Sequence, residues 1–333
     1  MKIGRQGWSE RLEKQVVRLA TRESFGEAVK TYAELTGFQV LKTTAWERLQ
    51  ERGERLKKRR EQEAIHKWGL PKRSENMPGE AQQSTKKAIS VDGAMVYIVG
   101  EEWKEVKIGC VFEYETRLEY SRKKQEREEV VKGRNQSYTA CLGGTEPFGK
   151  LLAAEADRCG FYRAWDQVVV ADGAKWIWNL SATCCPEAQE IVDWGHAMRH
   201  VWTAAHLFYA EGSVGSKRWV KDQEEALWNG QVYKVMADIQ ALGQQLPGKA
   251  PELQTEAGYF QNNARRMRYQ EFREEGYPIG SGTVESGCKR LVEQRMRGAG
   301  MHWSRPGAEN MLALRVEYLS QRWDEAWQLT LAF

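Results

Sequence analysis

Gln167-Val-Val-Val-Ala-Asp-Gly-Ala-Lys-Trp-Ile-Trp178 is the stretch from which the fold can be read. Its apolar run is too short for a helix, is rich in β-branched side chains, and has the pattern of a strand covered on both faces. Asp172-Gly173 breaks the run, and helical spacing begins near Trp176. Working outward, Ala88-Ile-Ser-Val-Asp-Gly-Ala-Met-Val-Tyr-Ile-Val99 reads as a strand with an acid, Asp92, inside it. Val106 to Tyr114 and Ser137 to Leu142 read as further strands, Phe148 to Arg158 as a helix, and Glu190-Ile-Val-Asp193 as a last short strand. Three strands, a helix, a strand, a helix and a strand predict a mixed α/β sheet with helices on its faces. From His196 to the end the spacing is helical, interrupted by Gly and Pro near 211–215, 247–251, 276–282 and 298–307.

Ahead of the sheet the period is that of helices. Ser9 is a candidate N-cap for a first helix carrying Leu12, Val16, Val17 and Leu19. A second helix is predicted from about Ser24 to Leu35, and a third from Thr43 or Thr44 through Leu49 and Leu56 to Arg60. Two short helices joined by a tight turn at Thr36-Gly37 outline a helix-turn-helix, whose second helix enters the major groove. On that reading Lys42, Thr43, Thr44, Glu47 and Arg48 face DNA; an ordinary helical hairpin with a solvated basic end is the alternative. Residues 69–87 are polar, with two Pro and two Gly, and read as a linker. The division is therefore 1–68 helical DNA-binding region, 69–87 linker, 88–195 first part of the core, 196–276 all-helical insertion, and 277–333 C-terminal helices.

With 333 residues the chain can bury a core without disulfide or metal staples. No run approaches the 18 or more apolar residues of a membrane helix, and the first ten residues lack the apolar segment of a signal peptide. Six cysteines without a CxxC pair read as reduced, which points to a cytosolic protein. Cys184-Cys185 with His196 and His200 resembles a zinc set, but adjacent cysteines poorly fill two corners of one tetrahedron. The formal net charge of +4 hides an asymmetry: residues 1–90 hold 20 basic and 12 acidic side chains, and the other 243 hold 30 and 34. Residues 261–305, with 9 basic and 5 acidic, form a second positive region. Two positive regions on an acidic body suit a polyanionic partner, or are simply solvated helix faces. Trp is abundant, 14 in all; Trp176, Trp178, Trp194 and Trp303 are expected mostly in the core.

The acids carry the chemistry. Asp92 lies within a strand and Asp172 ends another, where a carboxylate is costly unless something neutralises it. Hard divalent cations do so through oxygen ligands, and ligands of open α/β sheets gather at the carboxyl ends of strands. The alternative is that each Asp-Gly pair makes a turn. A third acid, Glu285, sits in Tyr277-Pro-Ile-Gly-Ser-Gly-Thr-Val-Glu-Ser-Gly-Cys288, a Gly-rich turn entering a helix, followed by Lys289, Arg290, Arg295 and Arg297. A helix N-terminus with basic residues beyond it suits phosphate. The plainer reading is an acid paired with an Arg. His196, Arg199 and His200 lie on or near one turn of a helix that starts beside Asp193 and are candidates to position a phosphate or a base; histidines satisfied in the interior are the plainer reading.

VDGAMV, VVADGAKWIW, DWGHAMRH and above all YPIGSGTVESGCKRLVEQRMRGAGMHWS resemble the bacterial insertion-sequence transposases of the ISKra type, relatives of the Mutator group. The resemblance implies a DDE catalytic domain of RNase H-like fold: a mixed α/β sheet with an all-helical insertion, preceded by a helix-turn-helix. Members commonly carry more residues ahead of that helix-turn-helix. The family's first Asp lies in strand one, its second ends strand four, and its Glu opens a helix after the insertion. Asp92, Asp172 and Glu285, 80 and 113 residues apart, occupy those positions, and Asp193 and His196 match the family's (C/D)xxH signature. The resemblance further implies two Mg²⁺ ions, replaceable by Mn²⁺, held by Asp92, Asp172 and Glu285. DNA would be held by Lys42, Thr43, Thr44 and Arg48 and by Lys289, Arg290, Arg295 and Arg297. The implied activity is cleavage and transfer of DNA strands at terminal inverted repeats. The partners are transposon-end and target DNA, with the chain acting as a homo-oligomer in the bacterial cytoplasm at the nucleoid and away from membranes. Two other functions remain open: a non-catalytic DNA-binding descendant of such an enzyme, and a Mg²⁺-dependent nuclease that only cuts.

Overall fold

The computed structural model describes residues 8–68, 85–121 and 125–331. Three helices come first, α1 (Glu10–Arg22), α2 (Phe25–Thr36) and α3 (Lys42–Trp68). Ser9 and Ser24 cap the first two, their hydroxyl oxygens accepting the N–H of Leu12 and of Glu27 at 3.2 Å, which satisfies a donor that a first helical turn leaves open. α3 starts at Lys42 and runs for 27 residues, past the end expected at Arg60. Its last turns are polar but rest on the body of the protein, a support that propensity cannot register. Residues 69–84 of the expected linker lie outside the described residues, and 86–87 already belong to the first strand.

The sheet comprises β1 (Lys86–Ile98), β2 (Glu102–Ser121), β3 (Glu126–Cys141), β4 (Asp166–Ala171) and β5 (Gln189–Val192), in the order β3-β2-β1-β4-β5. β1, β2 and β3 form an antiparallel meander; β4 pairs parallel to β1, and β5 parallel to β4. Parallel neighbours need crossovers, and α4 (Thr145–Arg158) and α5 (Lys175–Cys184) supply helices on those connections. The mixed α/β sheet is thus present with the expected element order. β2 and β3 run further than predicted: their pairing continues to Ser121↔Glu126, whereas the last β1 partner of β2 is Glu113. Residues 116–120 of this overhang are exposed, Leu118 and Tyr120 alternating with Arg117 and Glu119 without a core to cover them.

After β5 the chain forms α6 (Trp194–Phe208), α7 (Val214–Trp228), α8 (Val232–Gln245), α9 (Ala250–Asn263) and α10 (Tyr269–Glu274). It then returns to the sheet as α11 (Gly282–Cys288), a π-helical turn (Lys289–Glu293) and α12 (Gln294–Met296), and closes with α13 (Arg305–Leu319) and α14 (Trp323–Leu331). Leu152 and Phe148 of α4 lie over Gly109 on one face of the sheet, while Gly287 of α11 lies over Tyr138 on the other. No helix among the described residues is long and apolar enough to cross a membrane.

The N-terminal helices share a core with the sheet: Val17, Ala20, Leu49 and Leu56 pack in one apolar cluster with Ile89, Ile108 and Val170. Buried arginines add to this junction. Arg295 and Arg315 donate to the carbonyls of Ala20 and Thr21 at the end of α1, where a helix leaves acceptors unpaired. Arg315 also donates to the Arg290 and Leu291 carbonyls of the π-helical turn. Burial lowers Arg295 to about 10 and Arg315 to about 9.

α3 meets α13 at Gly53, where a Cβ would come within 2.6 Å of the Asn310 carbonyl oxygen. Neither backbone can yield without moving a helix, so Gly53→Leu is expected to destabilise the chain by about 2–3 kcal/mol through overpacking. Chemical denaturation measures this; an unchanged midpoint would mean that the helices are not in contact there.

Candidate functional site

Three adjacent strands deliver three aspartates in a row. Val91 of β1 pairs with Ala171 of β4, and Ala171 pairs with Val192 of β5. The next residue in each strand direction is Asp92, Asp172 and Asp193 respectively. Neighbouring strands are about 4.8 Å apart, so register alone places Asp92 beside Asp172. β1 continues through Asp92-Gly93 without turning; its hairpin lies between Ile98 and Glu102. The Asx turn at Asp172, whose Oδ1 accepts the Ala174 N–H at 2.8 Å, leads into α5. The turn reading of Asp-Gly thus fails at the first position and holds in a non-hairpin form at the second.

Glu285 arrives from the other side. The loop before α11 is tied to the end of β5: Trp194 N–H donates to the Ile279 carbonyl at 2.8 Å, and Ser281 N–H to Asp193 Oδ2 at 2.5 Å. Ser281 Oγ donates to Glu285 Oε1 at 2.9 Å. Asp193 caps α6, its Oδ1 accepting the His196 backbone N–H at 2.6 Å and lying 3.0 Å from His196 Nδ1. One turn beyond Glu285, the Cys288 thiol lies 3.7 Å from Asp92 Oδ2. α11 therefore touches both ends of the aspartate row. The tightest group of metal-capable atoms among the described residues is Asp193, His196 and Glu285, all within 4.8 Å of one another. The expected set of Asp92, Asp172 and Glu285 is not that group: Glu285 in this state leans toward Asp193 and His196, through the Ser281 bridge. Asp193 and His196, named from the sequence as a match to the (C/D)xxH signature, thus belong to the cluster itself.

The electrostatics divide the acids by role. Burial above all, then the Asp172 charge, pushes Asp92 above its ordinary range against the Gly93 N–H and His196. Burial also raises Asp193, but the hydrogen bonds from the His196 ring and from the His196 and Ser281 N–H groups outweigh it and hold Asp193 low. The hydrogen bond to Asp193 raises His196, against its own desolvation. Both Asp193 oxygens are thus occupied within the protein, which suits an orienting group, whereas Asp92 is an acid short of positive charge.

The basic candidates part ways. Lys289 and Arg290 are exposed; Arg297 is exposed too, with its guanidinium over Trp103 and 3.7 Å from Glu293. Arg295 is a correction: only 2% exposed, between Phe25 and Trp303 and bonded to Ala20, it is a structural tie and meets no ligand. Charge in the sequence does not reveal burial. Lys42, Thr43 and Glu47 are exposed and Thr44 is half-buried, while Arg48 pairs with Glu51 at 3.1 Å and lies against Trp8, so it is the least free of that set. Trp178 and Trp303 are buried and Trp176 and Trp194 half-buried, as expected of core residues. The zinc set does not assemble: His196 faces Asp193, and His200 pairs with Glu256 at 2.6 Å.

The sequence reading named Lys289 and Arg199 but passed over Lys175. Lys175 lies three residues past Asp172 and Lys289 four past Glu285; Arg199 lies three past His196. Each is exposed and has no acidic partner among the described residues. Helical spacing puts Arg199 on the face of His196 and Lys289 on that of Glu285, while Lys175 opens α5 just beyond the Asp172 turn.

Carboxylates at the ends of neighbouring strands, one of them pushed up by burial first and then by the other's charge, fit a hard divalent cation. Set against models of known protein families and against curated proteins, the chain matches none.

Proposed function

We propose that the chain is a DNA transposase of RNase H-like fold that cleaves and joins strands with divalent metal ions. The observation that carries this reading is the aspartate row across β1, β4 and β5 with Glu285 brought to it by α11. The first Asp lies on β1, the second directly follows β4, and the Glu stands in the first turn of the helix after the five inserted helices. The positions of these acids along the elements support the implied family pattern, although the Glu285 side chain lies with Asp193 and His196. Nothing about a stable sheet calls for these acids together, since like charges at close range cost stability.

Asp92, Asp172 and Glu285 are the residues to hold Mg²⁺ or Mn²⁺. Paired ions of this kind supply an activated water or 3′-hydroxyl and charge neutralisation on the leaving oxygen of an in-line displacement at phosphorus. Asp193 holds His196 by Nδ1, leaving Nε2 to meet a phosphate oxygen, and its negative charge favours the imidazolium. Lys175, Arg199 and Lys289, three or four residues beyond Asp172, His196 and Glu285, supply exposed positive charge for the flanking phosphates. In the N-terminal region, α2, the turn at Gly37 and α3 form the helix-turn-helix, with Lys42 and Thr43 presented to the ends of the element.

The joint replacement Lys175→Ala, Arg199→Ala and Lys289→Ala is expected to weaken binding to a duplex carrying the sequence that flanks the gene. The slope of log affinity against log salt should fall by roughly 0.9 for each phosphate contact removed, about 2.7 in all. Fluorescence anisotropy over a salt series measures it. An unchanged slope would place the DNA elsewhere on the molecule.

A further inference from the structure

The inserted helices reach back to the aspartate row at one place. Tyr259 of α9 donates its hydroxyl to the backbone carbonyl of Asp172 at 2.8 Å. Asn263, one turn later and buried, donates its Nδ2 to the Gly173 carbonyl at 3.4 Å and to the Tyr259 carbonyl at 3.0 Å, while its Oδ1 accepts the Trp178 indole N–H at 2.8 Å. Gly173 has φ +95°, a conformation costly for any other residue, and a Cβ there would lie 2.8 Å from the Tyr259 ring. The ring is held from its other side by His200, stacked at 3.6 Å, whose Nδ1 is 2.6 Å from Glu256.

We infer that Tyr259, supported by Asn263, is the positioning residue for Asp172, and that holding this carboxylate in place for a divalent cation is a task of the helical insertion. The inference rests on the metal-site reading above. Both peptide carbonyls of the Asp172-Gly173 turn are held by α9, and the Asp172 carboxylate is fixed in turn by the Ala174 N–H. The turn has no regular β or α partner at those carbonyls, so without α9 the strand end would choose among several conformations. A preorganised ligand binds its ion more tightly because less freedom is lost on binding. The geometry favours this over simple packing, because a Phe would fill the same space and a packing role would need no hydroxyl.

The test uses the full chain and Mn²⁺ as the probe, with free Mn²⁺ counted by electron paramagnetic resonance in the absence of DNA. Tyr259→Phe keeps the ring and its stack, and is expected to weaken Mn²⁺ binding about tenfold, the usual size of a lost supporting contact at a metal site. Its melting temperature should stay within a few degrees of the parent. Asn263→Ser should move the affinity in the same direction by a smaller factor, and decides the matter should the first variant not fold. In cleavage assays, Tyr259→Phe should need more Mg²⁺ for half-maximal rate and recover most of the rate at saturating Mg²⁺, a split that lost packing would not produce. Mn²⁺ affinity within twofold of the parent in both variants, or no Mn²⁺ binding by the parent, overturns the inference. Weakened Mn²⁺ binding in a chain that never cuts DNA would uphold the clamp and sink the transposase reading.

Discussion

Asp92→Asn should abolish DNA strand cleavage while leaving the protein at least as stable as the parent. A carboxylate that holds a catalytic ion contributes several kcal/mol to the transition state, so the loss is expected to exceed about a thousandfold in rate. Stability should move the other way. Burial first, and the neighbouring Asp172 second, raise Asp92 above its ordinary value of 3.8. An acid whose folded pKa is raised costs the fold stability once the pH passes that pKa, and the cost disappears as the pH falls through it. Asn carries no charge to desolvate, so at neutral pH the variant escapes the penalty, and the pH dependence of its melting temperature should flatten over the acidic range. Lost activity with retained or raised stability is the mark of an acid kept for chemistry. A variant that cuts DNA at the parental rate, or that melts well below it, would contradict the assignment.

The second large effect lies far from the site. Glu155 of α4, 1% exposed, accepts the Arg322 guanidinium at 2.9 and 3.2 Å and the Ser137 hydroxyl at 2.6 Å, and lies 3.7 Å from Arg60. Glu317 of α13 pairs with the same two arginines, at 3.3 Å to Arg60 and 2.8 Å to Arg322. Two acids and two arginines from α3, α4 and the C-terminal helices thus balance inside the core. Removing one leaves an uncompensated buried charge, which typically costs 3–5 kcal/mol. Glu155→Gln is therefore expected to lower the melting temperature by roughly 4–7 °C, measurable by calorimetry. The same network sets an acid limit. Burial raises Glu317, but Arg60 and Arg322 overcome it and hold the group below its ordinary 4.5. Its stabilisation is present above that value and is lost as the pH falls through the lowered folded pKa. A Glu155→Gln protein as stable as the parent would mean that the N-terminal helices do not rest on this network.

The parts legible in the sequence were those encoded by short-range pattern. Ser9 and Ser24 announce their helices because capping is local, and Val168–Val170 announces β4 because a strand buried on both faces must be apolar throughout. Asp92 and Asp172 were visible as acids at strand positions where an unpaired charge is costly, and Glu285 as an acid in a Gly-rich turn entering a helix. What stayed hidden depends on partners distant in the chain. In the overhang of β2 and β3 the alternation of Leu118 and Tyr120 with Arg117 and Glu119 is short, and its partner Glu126-Arg127-Glu128-Glu129 is charged throughout and so has no strand signature. Arg295 looks like any basic residue until Ala20, 275 positions away, accepts its guanidinium. Tyr259 and Asn263 sit in an ordinary helical pattern, and only the return of α9 to the Asp172 turn gives them a role. The lean of Glu285 toward Asp193 and His196 likewise needed Ser281 to be placed between them.

The central claim is tested most directly by incubating the purified chain with a duplex carrying the DNA that flanks its own gene, with Mg²⁺ and with a chelator, and reading the strands on a denaturing gel. Mg²⁺-dependent cuts at the ends of inverted repeats that leave 3′-hydroxyls are expected, followed by joined products, all lost in Asp92→Asn, Asp172→Asn and Glu285→Gln. Intact DNA in both Mg²⁺ and Mn²⁺, or cutting that survives all three substitutions, would contradict it.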